Sequence, residues 1–365
     1  MADEQEAEAL REGLNTLESD YGMSGPLDAQ ALVSAGRVRS WRITRRGSGS
    51  PDAYHLKVFT PGDLDRGRRE SAILAHLAKQ ASCPALVPEV VHTAQGIPFS
   101  GSEAGLYVVT RWCPGRQVPW DELSTRDWRA IGRTLAVLHG GLRDLVHVEI
   151  RESLAGRLRE RSLADERRQI LELQPRMAAR LARDGEGFAG LFDLCDLRLA
   201  ALDRAVEFGR SAPVVDSLAA RSMEEIEQPI HNDFNMYNLL IDESDVVVVD
   251  WERSILAPPF YEVVRCLQHM PVVSPDEASA FLRGYLGARR AESGGGAEPM
   301  DWRGCLGAQL EDLACKSWPS EALLAGDDWG REHSEGQAEI LRALLSGWSE
   351  CERFYREHFE ASSNG

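Results

Sequence analysis

The chain has 365 residues, of which 43% are hydrophobic and 27% charged, and a formal net charge of −17 at pH 7. This size and composition predict a soluble globular protein large enough for two lobes. The negative charge argues against nucleic acid and anionic membrane as partners, because binding either needs a basic face. It is compatible with a cationic substrate, although acidity that only maintains solubility explains it equally well.

The compartment follows from what the sequence lacks. No apolar run approaches membrane-spanning length, and the acidic start, residues 1–6, has no signal-peptide core. The seven cysteines are scattered without C-x-x-C spacing, so we expect reduced thiols and no zinc site. These features predict a cytoplasmic protein.

The first hundred residues alternate between helix and strand patterns. Leucines at positions 10, 14 and 17 predict an amphipathic helix over residues 1–22, and a second helical piece is predicted over 28–35. Strands are predicted over 38–44 and 53–59. The loop between the two strands contains Gly47, Ser48 and Gly49, whose backbone N–H groups could contact phosphates, although such turns are ordinary hairpin chemistry.

One lysine interrupts the second strand. Lys57 lies in the otherwise apolar run 56–59, so we expect its amine to be directed at a specific partner, unless it is an edge-strand lysine. Glu70 begins a helical pattern about a dozen residues later, where an acid is also favoured by the helix dipole alone.

The middle and the end of the chain are predicted to be mainly helical. A strand over 106–110 runs into Arg111, Trp112, Cys113 and a Pro-Gly break, which is the candidate connection between two lobes. Helices are predicted over 128–142, 151–182, 189–209 and within 274–361. The last region carries tryptophans and carboxylates that suit either an ammonium ligand or core packing, namely Trp302, Trp318, Trp329 and Trp348 with Glu311, Asp312, Asp327, Asp328, Glu332 and Glu335.

The most informative stretch is residues 230–252. Two apolar runs, 239–241 and 246–249, are separated by turn residues and predict a β-hairpin. Asp233 and Asn238 precede the first strand and Asp250 follows the second, so the hairpin would carry all three to the same end. Carboxylate and carboxamide oxygens suit Mg²⁺, and a second carboxylate outside the metal shell could take a proton from a hydroxyl. The alternative is that these residues only cap the hairpin.

The pattern H-x-D-x-x-x-x-N followed by a strand ending in Asp resembles the aminoglycoside phosphotransferases and choline kinases, small-molecule relatives of the protein kinases. The His231-Asn232-Asp233 spelling is the one seen in choline kinases, whereas many aminoglycoside kinases have Gly in the middle. Asp250-Trp251-Glu252 replaces the D-F-G of protein kinases, which argues against a typical protein kinase.

The resemblance implies an α+β, bilobal, protein-kinase-like fold. It has a small N-terminal antiparallel sheet lobe with a helix (residues 1–111), a hinge (112–116) and a larger, mainly helical C-terminal lobe (117–365). The implied cofactors are ATP and Mg²⁺. The implied roles are phosphate binding by Lys57 with Glu70 as its ion-pair partner, adenine binding by the backbone of Arg111, Trp112 and Cys113, metal binding by Asn238 and Asp250, catalytic base for Asp233, and loop bracing by His231.

The predicted activity is transfer of the ATP γ-phosphate to a hydroxyl of a small molecule, with an amino-containing acceptor such as an aminoglycoside or amino alcohol favoured. A kinase acting on Ser or Thr of a peptide in natural-product biosynthesis is one alternative, and a nucleotide-binding pseudokinase scaffold is another. The acceptor, the preference between ATP and GTP and the oligomeric state are left open by the sequence.

Overall fold

The structure is a computed structural model of the chain, and it describes residues 2–32, 39–46, 52–102, 105–145, 153–154, 156, 163–184, 191, 193–211, 227–242, 245–292 and 302–360. The chain divides into two compact units. Unit 1 comprises Met1–Arg151 and Pro229–Ile255, and unit 2 comprises Glu152–Gln228 and Leu256–Gly365. The hinge expected at 112–116, with the lobes on either side of it, stays a prediction.

Unit 1 is built on a five-stranded antiparallel sheet with strand order β1-β2-β3-β5-β4. Consecutive strands are neighbours except at β5, which lies between β3 and β4. The strands are β1 (Leu27–Ala31), β2 (Arg39–Arg45), β3 (Asp52–Phe59), β4 (Ser100–Ser102) and β5 (Gly105–Arg111).

The helix predicted over 28–35 is wrong. Residues Leu27–Ala31 instead form β1, which pairs with β2 from Leu27 opposite Arg45 to Ala31 opposite Trp41. β1 is an edge strand and mostly exposed, and its sequence Leu-Asp-Ala-Gln-Ala is short and contains two alanines, which favour helix, so the strand pattern is weak. Pairing with β2, rather than local propensity, decides its conformation.

Two helices cover opposite faces of this sheet. Helix α1 (Ala2–Ser19) packs on the face formed by residues such as Trp41, Leu56 and Val109, which we call the α1 face. Helix α2 (Leu64–Leu77) packs on the other face, the α2 face, against Phe59, Leu106 and Val108. Because side chains alternate along a strand, residues 55, 57 and 59 of β3 belong to the α2 face.

The rest of unit 1 contains a helix and a second, smaller sheet. Helix α3 (Thr125–Leu142) begins with a capping box in which Ser124 and Asp127 each accept the other's backbone N–H. Strands β7 (Leu239–Asp242) and β8 (Asp245–Val248) form the predicted hairpin, with Leu239 opposite Val248. Two further short strands are β6 (Gln228–Ile230) and β9 (Ile255–Ala257).

Unit 2 is helical, and one almost wholly buried helix organises its packing. The helices are α4 (Leu163–Asp184), α5 (Leu194–Ser211), α6 (Pro259–Leu267), α7 (Met270–Val273), α8 (Pro275–Glu292), α9 (Trp302–Cys315), α10 (Trp318–Ala325), α11 (Asp328–Ser346) and α12 (Trp348–Glu360). Helix α9 packs against α5 and α6. Buried Arg198 of α5 donates from Nε to the Ala314 carbonyl at 2.7 Å, and Arg265 of α6 pairs with Asp312 at 2.9 Å.

The predicted α+β class is therefore confirmed, since a small antiparallel sheet lies in the N-terminal region and the remainder is mainly helical. Among the described residues, no helix combines the length and the apolar character needed to cross a lipid bilayer.

Candidate active site

Lys57 lies at the centre of a group of three carboxylates on the α2 face, of which two are buried. Its Nζ donates to both oxygens of Glu70, at 3.0 and 2.9 Å, and to Oδ1 of Asp250 at 2.6 Å. An oxygen of Glu252 is 3.5 Å away. The side chains of Lys57, Glu70 and Glu252 are at most 10% exposed, whereas that of Asp250 is 36% exposed. Three acids thus share one buried ammonium, and Asp250 is the one that solvent reaches.

Burial and the charges of these four residues raise some of their pKa values and lower others. Burial by itself lowers the pKa of Lys57, but attraction to Asp250, Glu70 and Glu252 outweighs burial and raises it above the ordinary value. Burial raises the pKa of Glu70 and Glu252, and repulsion from Asp250 adds to this. Burial also disfavours the Asp250 carboxylate, but Lys57 lowers its pKa overall. Lys57 and Asp250 are therefore held as an ion pair with excess negative charge around them.

The backbone presents Asp250 at the outlet of β8 in a left-handed conformation, with φ 67° and ψ 62°. Aspartate tolerates this region better than most residues. The following turn is fixed by two contacts. The indole Nε1 of Trp251 donates to the Val248 carbonyl at 2.9 Å, and Arg69 of α2 donates to the Ser254 carbonyl at 2.9 Å. The same helix that carries Glu70 therefore holds the segment that carries Asp250 and Glu252.

His231 links the start of the segment 231–238 to the end of β8. Its Nε2 lies 2.8 Å from the Val249 carbonyl, and its Nδ1 accepts the Asp233 N–H at 3.2 Å. The ring is buried, with Trp251 at a centroid distance of 4.6 Å. Both nitrogens contact backbone atoms, so the geometry is that of a brace rather than of a proton donor to substrate.

The middle residue of the His-Asn-Asp motif has a conformational reason for its identity. Asn232 has φ 63°, in the left-handed region that glycine and asparagine adopt most readily. Its Nδ2 donates to the Arg253 carbonyl at 3.0 Å, which a glycine could not do. Asn232 therefore allows the turn and adds a hydrogen bond to the segment that carries Asp250.

Two carboxamides hold the Asp233 carboxylate. Asn235 donates from Nδ2 to Oδ1 at 3.0 Å, and Asn238 donates to Oδ2 at 3.2 Å and to the Asp233 carbonyl at 2.8 Å. The Arg253 guanidinium is 4.0 Å from Oδ2. The Val249 N–H donates to the Asn238 carbonyl at 3.0 Å, which links this loop to the end of β8. Since Asn238 uses its Nδ2 on Asp233, its Oδ1 is the side-chain atom that remains for a cation.

The stretch after β5 has a defined backbone geometry. The Trp112 N–H donates to the Ala53 carbonyl at 2.9 Å. The neighbouring backbone groups are the Arg111 carbonyl, which accepts from the Cys113 thiol at 3.8 Å, and the Cys113 N–H. Gly115 has φ 104° and approaches the Ile241 backbone so closely that a Cβ would lie 3.1 Å from its carbonyl oxygen. Arg116 and Ile241 exchange two backbone hydrogen bonds there. The predicted hinge stretch is therefore joined to the hairpin that follows Asn238.

The structure brings most of the predicted residues together within unit 1. Lys57, Glu70 and Asp250 are in direct contact, and Asp233 contacts Asn238. The predicted phosphate loop, Gly47, Ser48 and Gly49, lies outside the described residues. The structure gives the positions of these residues, and the roles assigned to them are proposals.

Three further residues belong to the site and had no predicted role: Glu252, Asn235 and Arg253. Glu252 and Arg253 directly follow Asp250, and Asn235 lies inside the H-x-D-x-x-x-x-N motif. Proximity in sequence to the motif residues was the available signal. It could not distinguish a residue that faces the site from one that faces away, because the segments 231–238 and 250–254 are loops with one short 3-10 turn each, too short to show a sequence period.

The C-terminal tryptophans divide into two groups. Trp302 and Trp348 are buried and pack in the core of unit 2. Trp318 and Trp329 are each 37% exposed and stack on one another with centroids 4.5 Å apart. Lys316 lies over the Trp318 ring at 5.2 Å. Core packing therefore accounts for one pair, and the other pair forms an exposed aromatic surface.

Most of the chain matches a known protein family. The family model described as the phosphotransferase enzyme family matches residues 33–295, well over half of the chain. The chain belongs to this phosphotransferase enzyme family. The expected family and enzyme class are thereby confirmed. A comparison with curated protein sequences gives no match.

Solved structures of phosphotransferases share the fold. An aminoglycoside phosphotransferase from Alicyclobacillus acidocaldarius is 18% identical with a TM-score of 0.59, and the match covers 90% of this chain and 92% of that one. A spectinomycin phosphotransferase solved with ADP and spectinomycin is 14% identical, with a TM-score of 0.59 and coverage of 93% and 98%. An amicoumacin kinase solved with AMP-PNP, Ca²⁺ and its substrate is 14% identical, with a TM-score of 0.52 and coverage of 92% and 96%. At these identities the likeness shows a common kinase-like fold, as expected for this phosphotransferase.

Proposed function

We propose that this phosphotransferase transfers the γ-phosphate of Mg·ATP to a hydroxyl group of a small molecule that carries an amino group. The observation that carries the proposal is the contact of Lys57 with Glu70 and Asp250, together with the Asp233 carboxylate held by Asn235 and Asn238. A cation for phosphates, oxygen ligands for a metal and a positioned base are the parts that phosphoryl transfer needs.

The donor set fits a magnesium ion that also binds phosphate. Asp250 and the Oδ1 of Asn238 would hold it, since Mg²⁺ takes oxygen ligands and commonly uses one or two carboxylates plus substrate phosphates. When bound, the ion would neutralise charge on the phosphate oxygens. Asp250 is the most exposed acid of the group around Lys57, which leaves it accessible to such an ion.

Lys57 and Glu70 would act on the nucleotide phosphates. The ammonium is buried, and attraction to Asp250 and Glu70 outweighs burial and raises its pKa, which favours the charged form. Glu70 holds Lys57 from α2 with both carboxylate oxygens, so the ammonium stays directed toward Asp250. The predicted hinge, with the Arg111 carbonyl and Cys113 N–H, would contact the base.

Asp233 would accept the proton of the acceptor hydroxyl. In the transfer step the O–H bond breaks and its proton passes to a carboxylate oxygen of Asp233. The hydroxyl oxygen forms a bond to the γ-phosphorus, and the bond between that phosphorus and the β–γ bridging oxygen breaks to release ADP. Asn235 and Asn238 would keep the carboxylate in one orientation for this proton transfer.

An amino-containing acceptor is supported by charge and by analogy. The chain carries a net charge of −17, which favours a positively charged acceptor. The structural neighbours named above include an aminoglycoside phosphotransferase, a spectinomycin phosphotransferase and an amicoumacin kinase. We favour this acceptor class over the peptide substrate that was the alternative.

A substrate panel followed by mass spectrometry tests the proposal. Purified protein with Mg·ATP is incubated with aminoglycosides, amino alcohols, deaminated analogues of each and Ser/Thr peptides. We expect the mass gain of one phosphoryl group on an amino-containing small molecule, and no gain when Mg²⁺ is chelated. Phosphorylation of peptides alone, or ATP binding without transfer to any hydroxyl compound, would refute the proposed function.

Paired variants separate the roles of the two aspartates. Asp233→Asn should abolish transfer while Mg·ATP affinity stays within about threefold, because the base is lost while the side chain keeps its shape, and with the new amide nitrogen at the Oδ1 position only the Asn235 hydrogen bond is lost. Asp250→Ala should weaken the metal-dependent part of nucleotide binding, measured by titration with and without Mg²⁺. Equal loss of binding in both variants would contradict these assignments.

A further inference from the structure

A row of polar side chains crosses the α2 face next to Lys57. Arg42 of β2 is directly opposite His55 of β3, and His55 is directly opposite Thr110 of β5, so the three lie side by side on one face. Helix α2 packs on this face near Phe59, Leu106 and Val108, at the other end of the strands. Lys57 follows His55 by two residues, which places the row roughly 7 Å from Lys57 along the strand.

Trp112 orders the two basic side chains of this row. The Arg42 guanidinium carbon lies 4.6 Å from the centroid of the Trp112 ring, and the His55 ring meets the same indole edge-on at 6.5 Å. Trp112 itself is fixed through its backbone N–H on Ala53. Arg42 and His55 are therefore held at the side of the sheet where the predicted hinge begins.

Two nitrogen atoms in this row have no hydrogen-bond partner in the part of the chain that the structure describes, although they are shielded from solvent. They are Nε of Arg42 and Nε2 of His55. A buried donor or acceptor without a partner destabilises a fold, so such atoms call for an explanation. Both are on the face that carries Lys57, and both residues contact the ring of Trp112, which lies between Arg111 and Cys113 in the chain. A ligand that supplies polar atoms at this position would satisfy them.

We propose that Arg42 and His55 recognise the purine base of the bound nucleotide through these two nitrogens and thereby determine which nucleoside triphosphate the enzyme accepts. The proposal rests on the proposed function in one respect: the phosphates must lie at Lys57, so that the ribose spans the distance from Lys57 to the row. Purines carry hydrogen-bonding nitrogens on both rings, and guanine adds a carbonyl oxygen, so both nitrogens can find partners on a single base.

The charge of the row is consistent with a neutral base as its ligand. Burial and the nearby Lys57 charge lower the pKa of His55 to about 3, so its imidazole is neutral and offers one donor and one acceptor. The Arg42 guanidinium already has the Trp112 ring on one face, and its Nε–H is a directional donor. The pair thus provides hydrogen-bonding specificity without a second cation at His55.

Binding measurements with and without a base test the proposal. Dissociation constants for Mg complexes of ATP, GTP, CTP and inorganic tripolyphosphate are measured for wild type, Arg42→Met and His55→Leu. Wild type should prefer at least one purine triphosphate over CTP by about tenfold or more, and each variant should reduce that preference by about tenfold. Tripolyphosphate affinity should stay within about twofold throughout, since it lacks a base.

Arg45→Met is the matched control. Arg45 is on the same strand but on the α1 face, where it pairs with Asp52 at 2.6 Å. The same substitution there should leave the base preference unchanged. If a leucine or methionine variant does not fold, judged by its thermal unfolding, Arg42→Lys and His55→Gln replace it, and each should still reduce the preference.

Three results would overturn the proposal. They are equal affinity of wild type for ATP, GTP and CTP, a preference that survives in both variants, and a loss of tripolyphosphate affinity as large as the loss for the preferred nucleotide. Failure here is distinguishable from failure of the proposed function. Phosphoryl transfer without base preference refutes this inference alone, and base preference without transfer to any acceptor refutes the proposed function alone.

Discussion

The ammonium nitrogen of Lys57 lies 2.6 Å from Oδ1 of Asp250, although 193 residues separate them in the chain. Glu70 and Glu252 complete the surroundings of the ammonium, so one cation is shared by three acids. Because the charges do not balance, we expect the group to be sensitive to charge changes. It also leaves negative charge that a magnesium ion would offset.

Removing the cation should destabilise the protein in a pH-dependent manner. In Lys57→Met the acids lose their partner, so we expect a loss of about 3 kcal/mol in the free energy of unfolding at pH 8. The pKa of Glu70 is already raised by burial and would rise further, so its carboxylate binds a proton more readily in the folded state than in the unfolded state. The loss should therefore grow as pH rises from about 5 to 8.

Urea denaturation at pH 5.5 and pH 8 measures this effect. Lys79→Met, at an exposed position of the loop after α2, is the matched control and should change stability by less than about 0.5 kcal/mol. A loss in Lys57→Met that is the same at both pH values would argue against unpaired carboxylates as its cause.

Asn235→Ala should slow transfer without weakening substrate binding. The variant removes the donor to Oδ1 of Asp233, so the base is less well oriented, and we expect kcat to fall about tenfold with KM for ATP within about twofold. Gln117→Ala is the matched control, because Gln117 donates to the Tyr237 carbonyl in the same loop but does not hold the Asp233 carboxylate. Steady-state kinetics on the acceptor found by the panel decide the outcome. Equal kcat in both variants would show that Asn235 does not position Asp233.

Burial of neutral His55 should make the free energy of unfolding fall in mild acid. Burial, and then the charge of Lys57, lower its folded pKa to about 3, whereas the unfolded value is 6.5, so the unfolded state binds more protons between these values. The stability tied to neutral His55 is fully present above pH 6.5 and is lost as pH falls toward 3. At pH 5 wild type should have lost about 1–2 kcal/mol relative to His55→Gln, compared with the difference at pH 7.5.

Chemical denaturation at pH 7.5 and pH 5 of wild type, His55→Gln and His92→Gln checks this prediction. His92 is exposed, so its variant should follow the wild-type pH dependence. If the free energy of unfolding of wild type and of His55→Gln changed equally with pH, the imidazole would bind a proton as readily in the folded state as in the unfolded state, and the prediction would be wrong.

Gly67→Ala should disturb the contact between α2 and the sheet. A Cβ at this position would lie 2.6 Å from side-chain carbons of both Leu106 and Phe59. We expect a loss of about 1–3 kcal/mol in the free energy of unfolding from overpacking. Nucleotide affinity should also fall, because Glu70 lies on the same helix face one turn later. Thermal unfolding and nucleotide titration measure the two effects.

Gly62→Ala is the control for this substitution. Nothing lies within 4 Å of a Cβ built at Gly62, so its variant should be close to wild type in both assays. Wild-type stability in Gly67→Ala would show that α2 can move away from the sheet at little cost.

The sequence by itself determined the parts of the site whose geometry is local. Asp233, Asn238 and Asp250 lie on either side of one hairpin, and the two apolar runs with turn residues between them predict that hairpin directly. Lys57 and Glu70 followed from a polar residue in an apolar strand and from a helix period soon after it. Each inference needed only a few residues and a known period.

Only the tertiary structure decided which neighbours complete these groups. β1 is a strand because it pairs with β2, although its two alanines favour a helix. Glu252 and Asn235 are in the site because irregular segments turn their side chains inward. Arg42 and His55 became neighbours of Trp112 through the register of separate strands. Strand register and irregular turns depend on contacts between distant parts of the chain, and a local sequence period carries no information about them.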